Sequence, residues 1–272
     1  MKKALLVTDG LHDISHIGNF IIRLHREAPI CLTAAFLPQI VIANTWTYAY
    51  PLSALYVPPI DENDISSVDD TIAHFKQLCA TNGIEAKICR ELKKDALPIV
   101  RRESRFADFL LLNNADYYNS LSFSTPNDYL RETLHAMECP VILIPEEAEY
   151  PETVILAYDG SASSAYAVRS FTTLFPHWCE LPAMLIYLSE QGDKDLPYQD
   201  KILDLARAHF PNLTVQCISG KSPNEDEQWL KTKRPILVSG SFGRSGLSQL
   251  FRRSFAASLS EGKKIPLFIA HQ

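Results

Sequence analysis

The sequence predicts an α/β protein of two tandem doubly wound domains, each with a five-stranded parallel sheet, and three features carry this prediction. First, residues 4–10 and residues 154–160 are both short apolar runs that end in Asp-Gly, which indicates an internal repeat. Second, apolar segments that contain proline close the two copies at 139–145 and 265–270. Third, strands that are apolar throughout alternate with helical patterns, which is typical of parallel sheets covered on both faces.

The first copy alternates strands and helices over about 140 residues. Strands are predicted near 3–8, 30–37, 84–90, 108–113 and 140–144, and helices near 15–27, 66–81 and 127–137. The extra length of this copy lies between Pro38 and Asp64, a segment rich in Pro, Tyr and Trp. We expect that segment to pack as a loop over a neighbouring element, because it is too long for an ordinary connection.

The second copy follows the same plan. Strands are predicted near 153–158, 182–188, 213–218, 235–239 and 266–270, helices near 163–175, 198–209 and 247–260, and a short joining segment near 223–232. An acidic stretch flanked by Pro145 and Pro151 forms the linker. The predicted domains therefore span residues 1–146 and 152–272.

Composition indicates which kinds of partner the chain could bind and in which cellular compartment it is expected. The chain is 46% hydrophobic and 21% charged, and its net charge of -6 argues against binding nucleic acid or an anionic membrane. Acidic residues exceed basic ones in residues 1–150 but nearly balance them in 151–272, so the second copy is better placed for an anionic ligand. The 6 cysteines form no C-x-x-C pair, which favours buried thiols in a reducing compartment. The N-terminal apolar run is shorter than the roughly 7–15 residues of a secretory signal, so we expect a cytoplasmic protein.

The best candidate for a binding site lies at the carboxyl ends of the strands in the second copy, where doubly wound sheets bind ligands. The loop that begins with Asp159 should meet the loop after the fourth strand, which carries Gly240, Gly243 and Gly246. Glycines let backbone N–H groups approach an anion, and the helix that follows adds its positive end. Ser254 falls on the inward stripe of that helix, where its hydroxyl meets a phosphate or satisfies a backbone group.

These loops resemble those of the universal stress proteins, and the resemblance covers nearly the whole chain, most strongly at 154–171 and 236–256. Members of that family have an adenine-nucleotide α-hydrolase-like fold with strand order 3-2-1-4-5, and tandem members exist. Those that bind ATP share a loop of the form Gly-x-x-Gly, nine residues, then Gly-Ser or Gly-Thr. The resemblance implies that this chain binds an adenine nucleotide (ATP, ADP or AMP), with Mg²⁺.

The resemblance also implies a role for individual residues. Asp159 would meet the ribose or the adenine, and Leu188 would line the adenine pocket. Gly240 and Gly243 would form the phosphate loop, and Ser254 would contact the phosphates from the helix. A β-branched residue at either glycine is expected to abolish binding while leaving the fold largely intact.

One position departs from the family's pattern. Arg253 stands where the family has its next glycine. Its side chain either fills the space of the phosphate oxygens or pairs with them, because a guanidinium matches phosphate geometry. Arg244 and Arg252 lie nearby in the sequence and would add positive potential. The plain alternative for these arginines is an exposed helix face.

The first copy has lost the loop. Its fourth strand runs into Asn113 and Asn114 with no glycine, and Asp116 would repel a phosphate. Asp9 stands where Asp159 stands, but by itself it reads as a strand-end or helix-capping residue. We expect no triphosphate site in this copy, and a pocket for another ligand stays open.

No hydrolytic motif stands out, so we assign no catalytic residue, no metal site and at most slow ATP hydrolysis. His12 and His16 are spaced as a metal pair, but an exposed helix start explains them better. The leading interpretation is a cytoplasmic stress-response protein that binds an adenine nucleotide in its C-terminal domain and acts through conformation or a protein partner. The alternative is a tandem member that binds no nucleotide and serves as an interaction or small-ligand module, which Arg253 favours and the Gly240–Gly243 pair disfavours.

The fifth strand of each copy reads as an edge strand, since a proline precedes it at Pro140 and Pro266. Edge strands need covering. We therefore expect the two copies to pack as an internal pseudo-dimer, and the sequence leaves a homodimer of whole chains open.

Overall fold

A computed structural model of the chain describes residues 1–37, 61–92, 96–113, 136–145, 148–189, 196–219, 233–240 and 265–270. The described residues divide into two compact units, an N-terminal unit up to residue 145 and a C-terminal unit from residue 148 onward. Within these ranges, no helix is both long enough and apolar enough to cross a membrane.

The N-terminal unit is a parallel sheet with helical connections. Its described strands are β1 (Lys2–Thr8), β2 (Ile30–Phe36), β3 (Ala86–Arg90), β4 (Phe109–Asn113) and β5 (Val141–Ile144). Its described helices are α1 (Ser15–Glu27), α2 (Glu62–Thr81) and α3 (Ala96–Ser104). The strand order is β3-β2-β1-β4-β5. The central strand β1 is apolar and at most 2% exposed from Ala4 to Val7, as expected of a strand buried on both faces.

The C-terminal unit repeats this topology. Its described strands are β6 (Thr153–Tyr158), β7 (Ala183–Ser189), β8 (Leu213–Ser219), β9 (Pro235–Ser239) and β10 (Leu267–Ile269). Its described helices are α4 (Ala162–Leu174), α5 (Gln199–Arg207) and a 3₁₀ helix (Pro176–Glu180). Counted along the sheet, the order is β8-β7-β6-β9-β10. Each unit thus has the order 3-2-1-4-5, and the predicted doubly wound α/β fold class is confirmed.

The strand registers align the two units residue by residue. The pairs that fix the alignment are Leu6 with Leu111 in one unit and Leu156 with Val238 in the other. Because the Asp-Gly repeat matches residue 6 to residue 156, residue 111 corresponds to residue 238. Two residues further on, Asn113 takes the position of Gly240. The N-terminal unit therefore has an asparagine where the C-terminal unit has the first glycine of its predicted phosphate loop.

The structure corrects the sequence-based helices in three places. Helix α2 begins at Glu62, inside the stretch expected to be a loop, because Asp61 caps it by accepting a hydrogen bond from the backbone N–H of Asp64 at 2.8 Å. Helix α3 and the 3₁₀ helix were not predicted. Pro98 lies in the first turn of α3, where no N–H donor is needed, so the helix tolerates it. The expectations for residues 38–60, 127–135, 223–232 and 247–260 lie outside the described residues.

An aromatic cluster fixes the position of α4. Phe171 on this helix packs against the rings of Trp178, Phe210 and Phe268, with ring centroids 5.9, 6.4 and 5.3 Å away. The Trp178 Nε1 donates a hydrogen bond to the Tyr150 hydroxyl at 3.2 Å. Since these side chains are buried, they hold the C-terminal part of α4 against the core of the unit.

Candidate functional site

The candidate site lies at the carboxyl end of β6, where Asp159, Gly160 and Ser161 turn the chain into α4. Gly160 has a φ of 79°, a left-handed conformation that glycine adopts without strain. A Cβ atom on Gly160 would lie 2.7 Å from the Cβ of Pro197. Glycine at this position therefore allows both the sharp turn and the close approach of residue 197.

Hydrogen bonds within this turn hold Asp159 in place. The Oδ1 of Asp159 accepts from the backbone N–H of Ser161 at 2.9 Å. The hydroxyl of Ser161 caps α4 by accepting from the backbone N–H of Ser164 at 3.1 Å. The carboxylate of Asp159 thus lies beside the positive end of a helix. A carboxylate accepts hydrogen bonds, and it is the kind of group that binds the hydroxyls of a ligand.

Gly240 follows β9 and packs directly on the first turn of α4. A Cβ atom on Gly240 would lie 2.7 Å from both the carbonyl carbon of Ser163 and the backbone nitrogen of Ser164. Such distances are far below van der Waals contact, and the atoms concerned are backbone. A β-branched residue at Gly240 would therefore require α4 to move, so the substitution should reduce stability as well as change the loop.

Residue 197 is also tied to the turn by a hydrogen bond. The hydroxyl of the buried Tyr158 donates to the carbonyl oxygen of Pro197 at 2.9 Å. Burial raises the pKa of Tyr158, and the neighbouring Asp159, Tyr198 and Tyr187 raise it further. The hydroxyl therefore keeps its proton at neutral pH and remains a donor to Pro197.

Of the predicted site residues, the structure brings together Asp159 and Gly240, since both border the first turn of α4. Leu188 lies near the carboxyl end of β7, two strands from Gly240, and its side chain is outside the described part. The remaining predicted residues lie outside the described ranges, and their roles stay predictions: Gly243, Arg253 and Ser254.

The corresponding turn of the N-terminal unit is built differently. The Oδ1 of Asp9 accepts from the backbone N–H groups of Leu11 at 2.8 Å and His12 at 3.1 Å. Its Oδ2 lies 2.6 Å from the Nδ1 of His12, and Asp9 is 4% exposed. Asp9 thus caps its own turn at the strand end, while the start of α1 uses Asp13, which accepts from the Ser15 N–H at 2.9 Å. The carboxylate of Asp9 therefore makes its hydrogen bonds within its own turn and is buried, so it is not exposed to a ligand.

His12 and His16 were considered as a metal pair. His12 precedes α1 and contacts Asp9, whereas His16 lies on the exposed start of that helix. Over the ranges that the structure describes, no group of three or more His, Cys, Asp or Glu side chains is arranged to hold a metal ion.

A cleft of about 190 Å³ lies in the N-terminal unit, and Asp9 does not line it. It is found toward the amino ends of β1 and β2, and its walls include Lys3, Thr33, Lys87 and the exposed ring of Phe106. None of the predicted site residues lines it. The ligand edge of a doubly wound sheet is the opposite one, so this cleft is separate from the candidate site.

Two features of the site were missed by sequence reasoning. The contact of Asp9 with His12 follows an i,i+3 spacing that is common in turns, so the sequence gave only a weak signal for it. The hydrogen bond from Tyr158 to Pro197 joins residues 39 positions apart, and no local pattern encodes it.

The chain was compared with known proteins by family, by sequence and by structure. No protein-family model matches it, and no curated protein matches it. A universal stress protein from Archaeoglobus fulgidus DSM 4304 is similar in structure, with a TM-score of 0.65, 17% sequence identity, and a match covering 100% of this chain and 96% of that chain. A universal stress protein in complex with cAMP has a TM-score of 0.27 and 22% identity, over 44% of this chain and 97% of that chain. The second score is too low to carry an argument, and the first shows that this chain has the universal stress protein fold.

Proposed function

We propose that this chain is a cytoplasmic stress-response protein of the universal stress protein family that binds an adenine nucleotide, ATP, ADP or AMP, in its C-terminal domain (residues 152–272). The nucleotide acts by changing the conformation of the domain or its contacts with a protein partner, rather than by rapid turnover. The shared fold supports the family, and the residues at the carboxyl edge of the C-terminal sheet support the ligand.

The observation that carries this proposal is the packing of Gly240 on the first turn of α4. That contact leaves no room for a side chain, so the loop after β9 starts within van der Waals distance of the turn that holds Asp159. A carboxylate for ribose hydroxyls and the first glycine of the predicted phosphate loop are therefore neighbours. A bound nucleotide contacts a group for its ribose and a loop for its phosphates, and these two must lie no further apart than the nucleotide is long. Doubly wound sheets bind their ligands at the carboxyl ends of their strands, where both of these groups lie.

The phosphate side of the proposal rests on the sequence. Gly243 completes the Gly-x-x-Gly pattern with Gly240, and Ser254 contacts the phosphates. Mg²⁺ accompanies the phosphates because it neutralises part of their negative charge. In this proposal Arg253 pairs with phosphate oxygens in place of the family's glycine, as a guanidinium does well.

The N-terminal domain (residues 1–146) is, in this proposal, the copy that does not bind a triphosphate. Asn113 stands at the position of Gly240, so the loop lacks its first glycine. The carboxylate of Asp9 is occupied by its own turn and by His12, so it does not replace Asp159.

A second function is favoured by two observations. Arg253 interrupts the family's glycine pattern, and the N-terminal unit contains a cleft with lysines and an exposed aromatic ring. Both would suit a tandem protein that binds no nucleotide and serves as an interaction or small-ligand module.

Calorimetric titration of ATP, ADP and AMP with Mg²⁺ separates the two functions, using the natural protein and an Arg253→Gly variant. Micromolar binding by the natural protein that weakens in the variant supports the nucleotide function and the pairing of Arg253 with the phosphates. Equal binding by both proteins supports the nucleotide function but overturns that pairing. Binding by the variant alone would mean that the arginine closes the site, and the second function would then be preferred. Binding by neither protein would overturn the nucleotide proposal.

A further inference from the structure

Tyr198 has an exposed side chain and directly follows Pro197, the residue that packs on the Asp159 turn. Tyr198 is 74% exposed, whereas the neighbouring Tyr158 is 3% exposed. Its backbone is left-handed, with φ 52° and ψ 39°, a conformation that costs free energy for a bulky residue. An exposed ring on a strained backbone does not stabilise the folded protein. This points to a role in binding and not in the core.

Four contacts fix the backbone that carries this ring. The carbonyl oxygen of Tyr198 accepts from the N–H groups of Lys201 at 3.0 Å and Ile202 at 3.1 Å, so it starts α5. The preceding Pro197 accepts the hydrogen bond from Tyr158 and packs against Gly160. The position of the ring's backbone relative to the Asp159 turn is therefore set from both sides, so this backbone loses little further conformational entropy when a ligand binds.

We propose that the Tyr198 ring stacks on the nucleobase of the nucleotide bound at Asp159, an inference that rests on the proposed function. Aromatic side chains attract bases through stacked π-faces, and every base has such a face. Stacking by Tyr198 therefore strengthens the binding of purine nucleotides in general and does not distinguish adenine from guanine. The ring contacts the base only, so the phosphates bind independently of it.

Tyr158 is the positioning residue in this arrangement. Its hydroxyl holds Pro197 and so holds the backbone of Tyr198, without facing the ligand itself, since the side chain is buried. The hydrogen bond from the Ser161 N–H to Asp159 does not involve Tyr198, so a change at Tyr198 leaves that bond in place.

Titrations of Tyr198→Ala and Tyr198→Phe with ATP, GTP and inorganic tripolyphosphate test the inference. In Tyr198→Ala, the affinities for ATP and GTP should both fall about tenfold, which is in the range of a lost base–aromatic stack. Tyr198→Phe keeps the ring and should bind both nucleotides within about twofold of the natural protein. The affinity for tripolyphosphate should be the same in all three proteins, because it has no base. Circular dichroism and thermal unfolding check that the variants are folded, which the exposure of the side chain favours.

The outcomes separate this inference from the function on which it rests. If the natural protein binds ATP and Tyr198→Ala binds it equally well, the stacking is overturned and the proposed function stands. If Tyr198→Ala loses ATP and tripolyphosphate to the same extent, the residue acts on the site as a whole and the stacking is again overturned. If the natural protein binds no nucleotide, the proposed function and the inference fail together.

Discussion

Gly240 is the residue where the structure makes its sharpest prediction about stability. A Cβ atom there would lie 2.7 Å from two backbone atoms of α4 and 2.9 Å from the carbonyl oxygen of Ser163. Ordinary contacts begin at 3.4 Å, so the first turn of α4 would have to withdraw by about 0.7 Å. Because the aromatic cluster around Phe171 holds this helix, the move should cost about 2 kcal/mol, within the range for overpacked sites.

Urea unfolding of Gly240→Ala, followed by circular dichroism, measures this cost. With a slope of about 2 kcal/mol per M, the midpoint of the C-terminal unit should fall by about 1 M. Gly240→Val should fall further, since it adds bulk to the same contact.

Gly18→Ala is the matched control for that experiment. A Cβ on Gly18 would also make a short contact, 2.9 Å, but its neighbour is the Cδ1 at the flexible end of the Leu78 side chain. Since Gly18 lies inside α1, the alanine should also gain about 0.5–1 kcal/mol of helix propensity. Equal urea midpoints for Gly240→Ala and the natural protein would refute the packing argument. In that case, loss of nucleotide binding in Gly240 variants could be assigned to the loop itself.

Three further predictions follow from hydrogen bonds and burial. Tyr158→Phe removes the donor to Pro197, so unfolding free energy should fall by about 1 kcal/mol and ATP binding should weaken; unchanged values for both would contradict the positioning role. The hydrogen bond from Arg105 holds the pKa of Glu138 at about 2, below its ordinary 4.5. The ionised Glu138 therefore stabilises the folded protein fully above pH 4.5, and this contribution is lost as the pH falls through 2. Thermal unfolding of Glu138→Gln between pH 2 and pH 7 should therefore show a flatter acid dependence than the natural protein, and parallel curves would oppose this. The thiols of Cys79, Cys139 and Cys179 should resist iodoacetamide at pH 8 in the native protein, because the thiolate is the reactive form and their pKa values are raised. In urea the same thiols should react, and mass spectrometry measures the difference. Burial is the main cause that raises these pKa values, to about 11 at Cys79 and to about 12 at Cys139 and Cys179.

The strands were predictable because a buried parallel strand leaves a simple pattern, whereas their order was implied by the resemblance to the universal stress proteins. The run from Ala4 to Val7 and the run from Val154 to Ala157 are continuously apolar, and both are buried in the structure. The Asp-Gly pair after each run then marked the repeat. A continuously apolar run of this kind indicates burial on both faces of the sheet. The predicted strand positions therefore agreed with the structure to within two residues.

Helix boundaries were harder to predict because they depend on the position of single residues. Pro98 disrupts a helix in its interior but is tolerated in the first turn, and only the structure shows that α3 starts at Ala96. Asp61 caps α2 from within a stretch whose composition favoured a loop.

The chemistry of the candidate site was predictable only in part. The sequence located Asp159 and Gly240 at the ends of neighbouring strands, which topology then brings together. It could not show that Gly240 has a steric reason to be glycine, since that reason is the backbone of a helix about 75 residues earlier in the chain. Nor could it show that Asp9 is engaged by His12 while Asp159 lies in a turn of different construction.

The most direct test of the central claim compares the two equivalent aspartates by calorimetric titration with ATP and Mg²⁺. Asp159→Asn keeps the Oδ1 acceptor for the Ser161 N–H but loses the charge, so the turn should survive while the bond to the ribose weakens. The account predicts one nucleotide per chain, an affinity about tenfold or more lower in Asp159→Asn, and no change in Asp9→Asn. The opposite pattern, with binding lost in Asp9→Asn and kept in Asp159→Asn, would contradict a nucleotide site in the C-terminal domain.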